Sequence, residues 1–196
     1  MVELNLPEYE YKVKKREDGS WCIWDRLRER WVALTPEEWV RQHFVEWLIT
    51  DKQFPAALMG NEVSLTQNGI ARRCDTVVAD RTGQPLVIVE YKAPNINVTQ
   101  KTFDQIVRYN MVLKARYLIV SNGLNHYCCC IDYETNSYRF LEDIPSYQEL
   151  GVRSWELEDN DSSLSQPCGA NANFTNLSNR IFCKYCLLSE ISITDA

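Results

Sequence analysis

Two β-branched runs constrain this chain more than anything else in it: Asp75 to Asp80 and Pro85 to Tyr91, separated only by Arg81, Thr82, Gly83 and Gln84. Turn-forming residues between two apolar runs of strand length predict a β-hairpin. With Asp80 and Pro85 closing the loop, antiparallel pairing sets Val77 opposite Ile88 and Asp75 opposite Glu90. Directly opposed residues share a face, with Cβ atoms roughly 5 Å apart. Side chains alternate along a strand, so Lys92 falls on that face too, one step beyond Glu90. Two carboxylates and a lysine therefore converge at one end of the hairpin.

That convergence is costly in an otherwise apolar hairpin, because opposed like charges destabilise a sheet and burial limits screening by water. Ordinary ion pairs, Asp75 with Arg73 and Glu90 with Lys92, would relieve it without any function. A divalent cation would relieve it as well. Hard carboxylate oxygens suit Mg2+ or Mn2+, which keep several waters and commonly sit beside phosphate oxygens.

The flanking sequence supplies the rest of a domain. From Tyr11 to Leu34 the runs YKVKKRE, SWCIWD and RWVAL predict a small antiparallel meander, with Asp18-Gly19 as its first turn. Trp21, Trp24 and Trp31 either pack this meander onto the main domain or form a base-stacking platform. Thr35, Pro36 and Glu38 are a helix start, with an N-cap, a proline in the first turn and the acid of a capping box. That helix is expected to reach about Ile49 with Val40, Phe44, Trp47 and Leu48 on one face, and His43 reads as a packing or solvent-facing residue rather than a ligand. Glu62 to Thr66 predicts a strand, and Asn68-Gly69 a turn into the Asp75 strand. Val98 to Lys114 predicts a second helix, on which Gln105 and Tyr109 stand four apart and share a face. Arg116 to Ser121 then reads as a buried strand, turned at Asn122-Gly123, with His126 to Asp132 returning as an edge strand. The expected fold class is α/β (α+β), an αβββαβ core with a central mixed sheet flanked by helices. Residues 1–34 form the meander, 35–147 the main domain, and 148–196 a polar tail expected to be disordered.

Asp75, then Glu90-Tyr91-Lys92, then the Gln105/Tyr109 QxxxY pair resemble the PD-(D/E)XK nuclease superfamily. The closer likeness is to the N-terminal nuclease domain of type I restriction enzyme R subunits, where a RecB-like QxxxY helix follows the ExK strand. TPEEWVRQ, RRCD, VEYKAP and YLIVSNG are similar to the flanking pieces of that domain, and the likeness covers roughly Tyr11 to Tyr147. Cys74 stands where the motif name has proline. The resemblance implies a restriction-endonuclease-like core and a metal-dependent DNA nuclease with Asp75, Glu90 and Lys92 as catalytic residues. It also implies Mg2+ or Mn2+ held by Asp75, Glu90 and the backbone carbonyl of Tyr91, with DNA contacts from Gln105 and Tyr109 and from Arg73 beside them. The first helix of such domains often lends an acid to the metal, and Glu38 is the candidate here. DNA, and other restriction-system subunits, are the partners it implies.

Composition limits these readings. A formal charge of −6, from 21 basic and 27 acidic residues, is unlike a protein that grips phosphates by charge alone. Any basic surface must be local, and Arg72, Arg73, Lys92, Lys101 and Arg108 are either a rim around the hairpin or a solvated face. The acidic start MVELNLPEYEYK has no apolar run, no stretch approaches eighteen apolar residues, and a cytoplasmic chain without membrane contact is expected. Eight cysteines, three of them consecutive at Cys128 to Cys130, suit reduced, partly buried thiols better than a disulfide framework. Cys168, Cys183 and Cys186 offer three of the four ligands that structural zinc needs, so no zinc site is expected. Without a GxxxxGK[ST] loop, the chain is not expected to hydrolyse ATP or to translocate on DNA by itself.

Overall fold

The structure is a computed structural model that describes residues 2–67 and 70–150. Cys168, Cys183, Cys186 and nearly all of the expected tail lie outside the described residues, as does the Asn68-Gly69 turn. No described helix is long and apolar enough to cross a membrane.

The chain opens with the expected three-stranded antiparallel meander, β1 (Val13–Lys15), β2 (Trp21–Asp25) and β3 (Arg30–Ala33). Gly19 at the first turn has φ +83°, a backbone that glycine adopts without steric cost. The expected tryptophan packing is corrected. Trp24 and Trp31, directly paired across β2 and β3, meet edge to face at 5.5 Å, while Trp21 is 51% exposed. Cys22, Ile23 and Asp25, all fully buried on β2, are what the meander buries instead.

Helix α1 (Pro36–Thr50) starts where Thr35 accepts the Glu38 amide N–H at 3.0 Å, with Pro36 in the first turn. Only that half of the capping box forms. The Glu38 carboxylate turns to Arg28, Arg41 and Gln42, because three strong donors outweigh one terminal amide. His43 packs between Tyr11 and Trp39, with ring centroids at 4.0 and 3.8 Å.

After a short 3-10 turn at Ala56–Leu58, the main sheet is laid down by β4 (Met59–Gln67), β5 (Ile70–Ala79) and β6 (Pro85–Tyr91). Helix α2 (Gln100–Leu113) then carries the chain to β7 (Tyr117–Ser121), followed by β8 (His126–Asp132) and β9 (Ser137–Phe140). The six strands lie in sequence order, β6 and β7 parallel across the α2 crossover and the other neighbours antiparallel. This is a mixed α/β fold with the expected αβββαβ order. The edge is a correction: β9, not β8, closes the sheet. Asp132 accepts the Glu134 and Thr135 amides in the turn that sends the chain back as β9.

Strand alternation divides the sheet into two buried faces. Val78, Val87, Val89, Tyr91, Tyr117, Ile119, Cys128 and Cys130 form one core with Val40, Phe44, Val45 and Leu48 of α1. Val77, Ile88, Leu118, Val120, Cys129 and Ile131 are buried on the other face, where Phe103 of α2 meets Tyr138 and Phe140 of β9. Ile144, Tyr147 and Leu150 join the first core, so packing continues through Leu150.

Candidate functional site

The hairpin register is Thr76 with Val89, Val77 with Ile88 and Val78 with Val87, as the sequence predicts for the Val77–Ile88 pair. The loop end departs from it. Ala79 pairs with Pro85 through a bulge at Val78/Ala79, and the Asp80 N–H donates to the Gln84 carbonyl at 2.8 Å. The bulge absorbs one residue at the loop and leaves the other end in the expected register. One step beyond Thr76–Val89, that register sets Asp75 beside Glu90.

Ladder pairing stops there because Asp75 replaces it. Its Oδ2 accepts the Tyr91 amide N–H at 2.8 Å, so a side chain, not the β5 backbone, holds the end of β6. Its Oδ1 accepts from Arg41 at 3.1 Å. Glu90 accepts from the Lys92 ammonium at 2.9 Å, and the two side chains are 27% and 28% exposed. Asp75, Glu90 and Lys92 are therefore gathered where β6 ends against the middle of β5.

The electrostatics mark this as the costly place the sequence suggests. Burial first, and then the Asp75 charge, push the Glu90 carboxyl above its ordinary range. Burial is also the largest influence on Lys92 and pulls its ammonium down, but Glu90, Asp75 and Glu37 together outweigh it and hold the group protonated above the usual lysine value. Tyr91 points to the opposite face, fully buried, with its ring 5.7 Å from Phe44 and its hydroxyl donating to Thr76 at 3.1 Å.

Half of the ordinary ion-pair reading stands and half is corrected. Glu90 pairs with Lys92, but Asp75 pairs with Arg41, and Arg73, largely exposed, pairs with Glu62. Arg41 is the residue that sequence reasoning missed. With 4% of its side chain exposed, it meets Glu38 at 2.6 Å, Glu62 at 2.9 Å and Asp75 at 3.1 Å. Glu62 stands next to Asp75 on β4, between the Asn61–Thr76 and Val63–Cys74 pairs, and has φ +57°. A left-handed glutamate in a strand costs about 1–3 kcal/mol, held here by its two arginine partners.

Glu38 is tied into the Arg28, Arg41 and Gln42 network. Its neighbour Glu37 is the one that interacts electrostatically with the cluster: burial and Asp75 push its carboxyl up, while Lys92 and Arg41 pull it down. The sequence links Glu37 only to Arg41, four residues on along one helix face, and not to the strands that carry the cluster. Gln105 and Tyr109 lie on α2, but their side chains are outside the described residues.

Beneath the cluster runs a buried polar chain. Asp25 accepts from Asn61 at 2.9 Å and from the Leu27 and Arg28 amides, Asn61 accepts from the Thr76 hydroxyl at 2.6 Å, and Thr76 accepts from Tyr91. The meander is thereby fixed to the strands that carry Asp75 and Glu90.

Among the described residues no three His, Cys, Asp or Glu side chains form a ready metal cage. Two hard carboxylates, one of them pushed up by burial and its neighbour, fit a cation that keeps most of its waters, as Mg2+ and Mn2+ do, and not a closed zinc-type site.

A family model described as type I restriction enzyme R protein N terminus (HSDR_N) matches residues 36–145. Among solved structures, the chain is similar to a fragment described as an HsdR subunit of a type I restriction enzyme from Vibrio vulnificus YJ016. The identity is 21% and the TM-score 0.44, over 60% of this chain and 25% of that one. The match thus spans about a quarter of that solved chain. No curated protein matches.

Proposed function

Since the chain belongs to the family of type I restriction enzyme R protein N termini, we propose that it is a divalent-metal-dependent nuclease domain of the PD-(D/E)XK type, hydrolysing DNA phosphodiester bonds. The observation that carries this reading is the gathering of Asp75, Glu90 and Lys92 where β6 ends against the middle of β5, with the Glu90 carboxyl displaced upward. Asp75, Glu90 and the backbone carbonyl of Tyr91 would hold Mg2+ or Mn2+. Bound there, the cation supplies polarisation of the phosphodiester and a water of lowered pKa.

The chain's own residues do the rest. Lys92, kept protonated by three carboxylates, is suited to orient the phosphate and to neutralise charge that develops in the transition state. Glu37, whose carboxyl is pushed up, is the nearby group suited to accept a proton from the attacking water. Attack in line on phosphorus breaks the bond to the 3′ oxygen and leaves a 5′-phosphate and a 3′-hydroxyl. On this reading Gln105, Tyr109 and Arg73 contact the DNA backbone. The domain acts in the cytoplasm, alone or with restriction-system subunits that deliver DNA.

One observation favours a second reading. Arg41 already pairs with Asp75, as a non-catalytic domain that binds nucleic acid or a partner without a cation would require. The test incubates the protein with supercoiled plasmid, linear duplex and single-stranded DNA in Mg2+, Mn2+ or EDTA, beside Lys92→Ala. Metal-dependent cutting that is lost in the variant is expected. If neither protein cuts, and calorimetry finds no divalent ion bound, the catalytic reading fails and the binding reading replaces it.

A further inference from the structure

Between residues 12 and 34 there are seven Lys or Arg against four Asp or Glu, in a chain whose formal charge is −6. The meander is thus a basic segment of an acidic protein, although Arg26 is paired with Glu46, and one of the four acids, Asp25, is fully buried with Arg28 as its partner. A second, Asp18, is turned to the Ser20 amide and hydroxyl.

The two faces of the meander differ. On one, Trp24 and Trp31 pack on each other and the Lys14 ammonium sits 4.3 Å above the Trp31 ring. On the other, whose Ile23 and Asp25 are buried, Lys15 is directly paired with Trp21 at the exposed margin, and Val13 precedes Lys15 by two residues on the same face. Val13 is 45% exposed and Trp21 51%, and among the described residues no ring packs on Trp21 and no carboxylate pairs with Lys15. A flat indole beside an unneutralised ammonium on a sheet surface is the pairing that holds an unpaired base and its phosphate, the ring stacking and the cation neutralising.

Its position gives the patch a role. The Leu34 N–H donates to the Trp21 carbonyl at 2.9 Å, and Glu37 follows three residues later in the first turn of α1. At most about 11 Å of chain separates them. Asp25, Asn61, Thr76 and Tyr91 fix the same meander to the strands of the cluster. We propose that Trp21 and Lys15, with Val13, form a docking surface for single-stranded DNA, which leads a strand toward the Asp75, Glu90 and Lys92 cluster. The surface rests on the nuclease-domain reading for its purpose, but its binding is measured without it.

Fluorescence anisotropy of a labelled oligo-dT in EDTA, where no metal-dependent cutting occurs, compares the full chain with Trp21→Ala and Lys15→Ala. Both side chains are exposed, and thermal melts confirm folding. Trp21→Ala is expected to weaken binding by roughly tenfold. Lys15→Ala is expected to weaken it and to reduce the slope of log affinity against log salt by roughly 0.7, one phosphate contact on a single strand. A duplex of the same length is expected to bind more weakly. Unchanged affinity in the folded variants, or a duplex bound as tightly as the single strand, overturns the proposal. Binding through Trp21 without any Lys92-dependent cutting supports it while defeating the nuclease reading, and cutting with unchanged affinity does the reverse.

Discussion

Arg41 brings one positive charge into contact with Glu38, Glu62 and Asp75, almost out of reach of water, and to 4.0 Å from Glu37. Removing it leaves Asp75 without its arginine and Glu38 and Glu62 with one each, Arg28 and Arg73, at a cost of roughly 3–5 kcal/mol. Arg41→Ala is expected to lose about that much in urea unfolding, and Arg41→Lys less, since a lysine keeps the charge but not the planar fork. The contrast with Asp75, Glu90 and Lys92 shows what a sequence makes legible at this scale. Those three share one hairpin, so strand alternation is enough to bring them together. Arg41 joins Glu62 and Asp75 across a helix and two strands, and no local period links residues so far apart in the chain. The resemblance points to Glu38 as the helical acid and capping explains Glu38 without a metal, whereas only the packed position of α1 brings Glu37 within electrostatic range of Asp75 and Lys92.

Among the elements, the β5–β6 hairpin was readable almost to the residue, because two apolar runs and a four-residue linker leave few registers that bury both faces. The bulge at Val78/Ala79 was not, since it adjusts the loop without altering the pattern. Nor was β9, whose four residues Ser137–Phe140 are too few to show a period. The meander was legible as strands but not in how it packs. Three tryptophans suggest the buried contact, yet its fully buried members are Cys22, Ile23 and a charged Asp25 that finds its partners on β3's preceding turn and on β4. That contact depends on Thr76, whose hydroxyl donates to Asn61 and accepts from Tyr91. Thr76→Val keeps the shape and removes both bonds, leaving a buried amide oxygen and a buried phenol without that partner. A loss of about 1–3 kcal/mol is expected, read as a lower urea midpoint with unchanged slope.

For the molecule as a whole, the upward displacement of Glu90 and Glu37 links stability to pH and to divalent ions. In each, burial is the largest cause and Asp75 the next. A carboxyl raised in the fold is ionised there at a cost. The stability it contributes is full below the ordinary glutamate range and declines as pH rises through the raised value. A cation bound at the cluster opposes that decline. Millimolar Mg2+ or Mn2+ is therefore expected to raise the melting temperature at about pH 7.5, with less effect near pH 4.5, where protons compete for the same oxygens. Asp75→Asn should abolish the metal-dependent shift, and an equal shift in that variant would locate the ion elsewhere. A different use follows from β8, where Cys128, Cys129 and Cys130 are buried on alternate faces of the sheet, and burial pushes the Cys128 thiol up to about 12. Thiols that are neither exposed nor ionised are inert to alkylating reagents until the layers above them part. With Cys168, Cys183 and Cys186 replaced by serine, the labelling of adjacent positions becomes a pair of clocks, one timing the departure of α1 and the other that of α2.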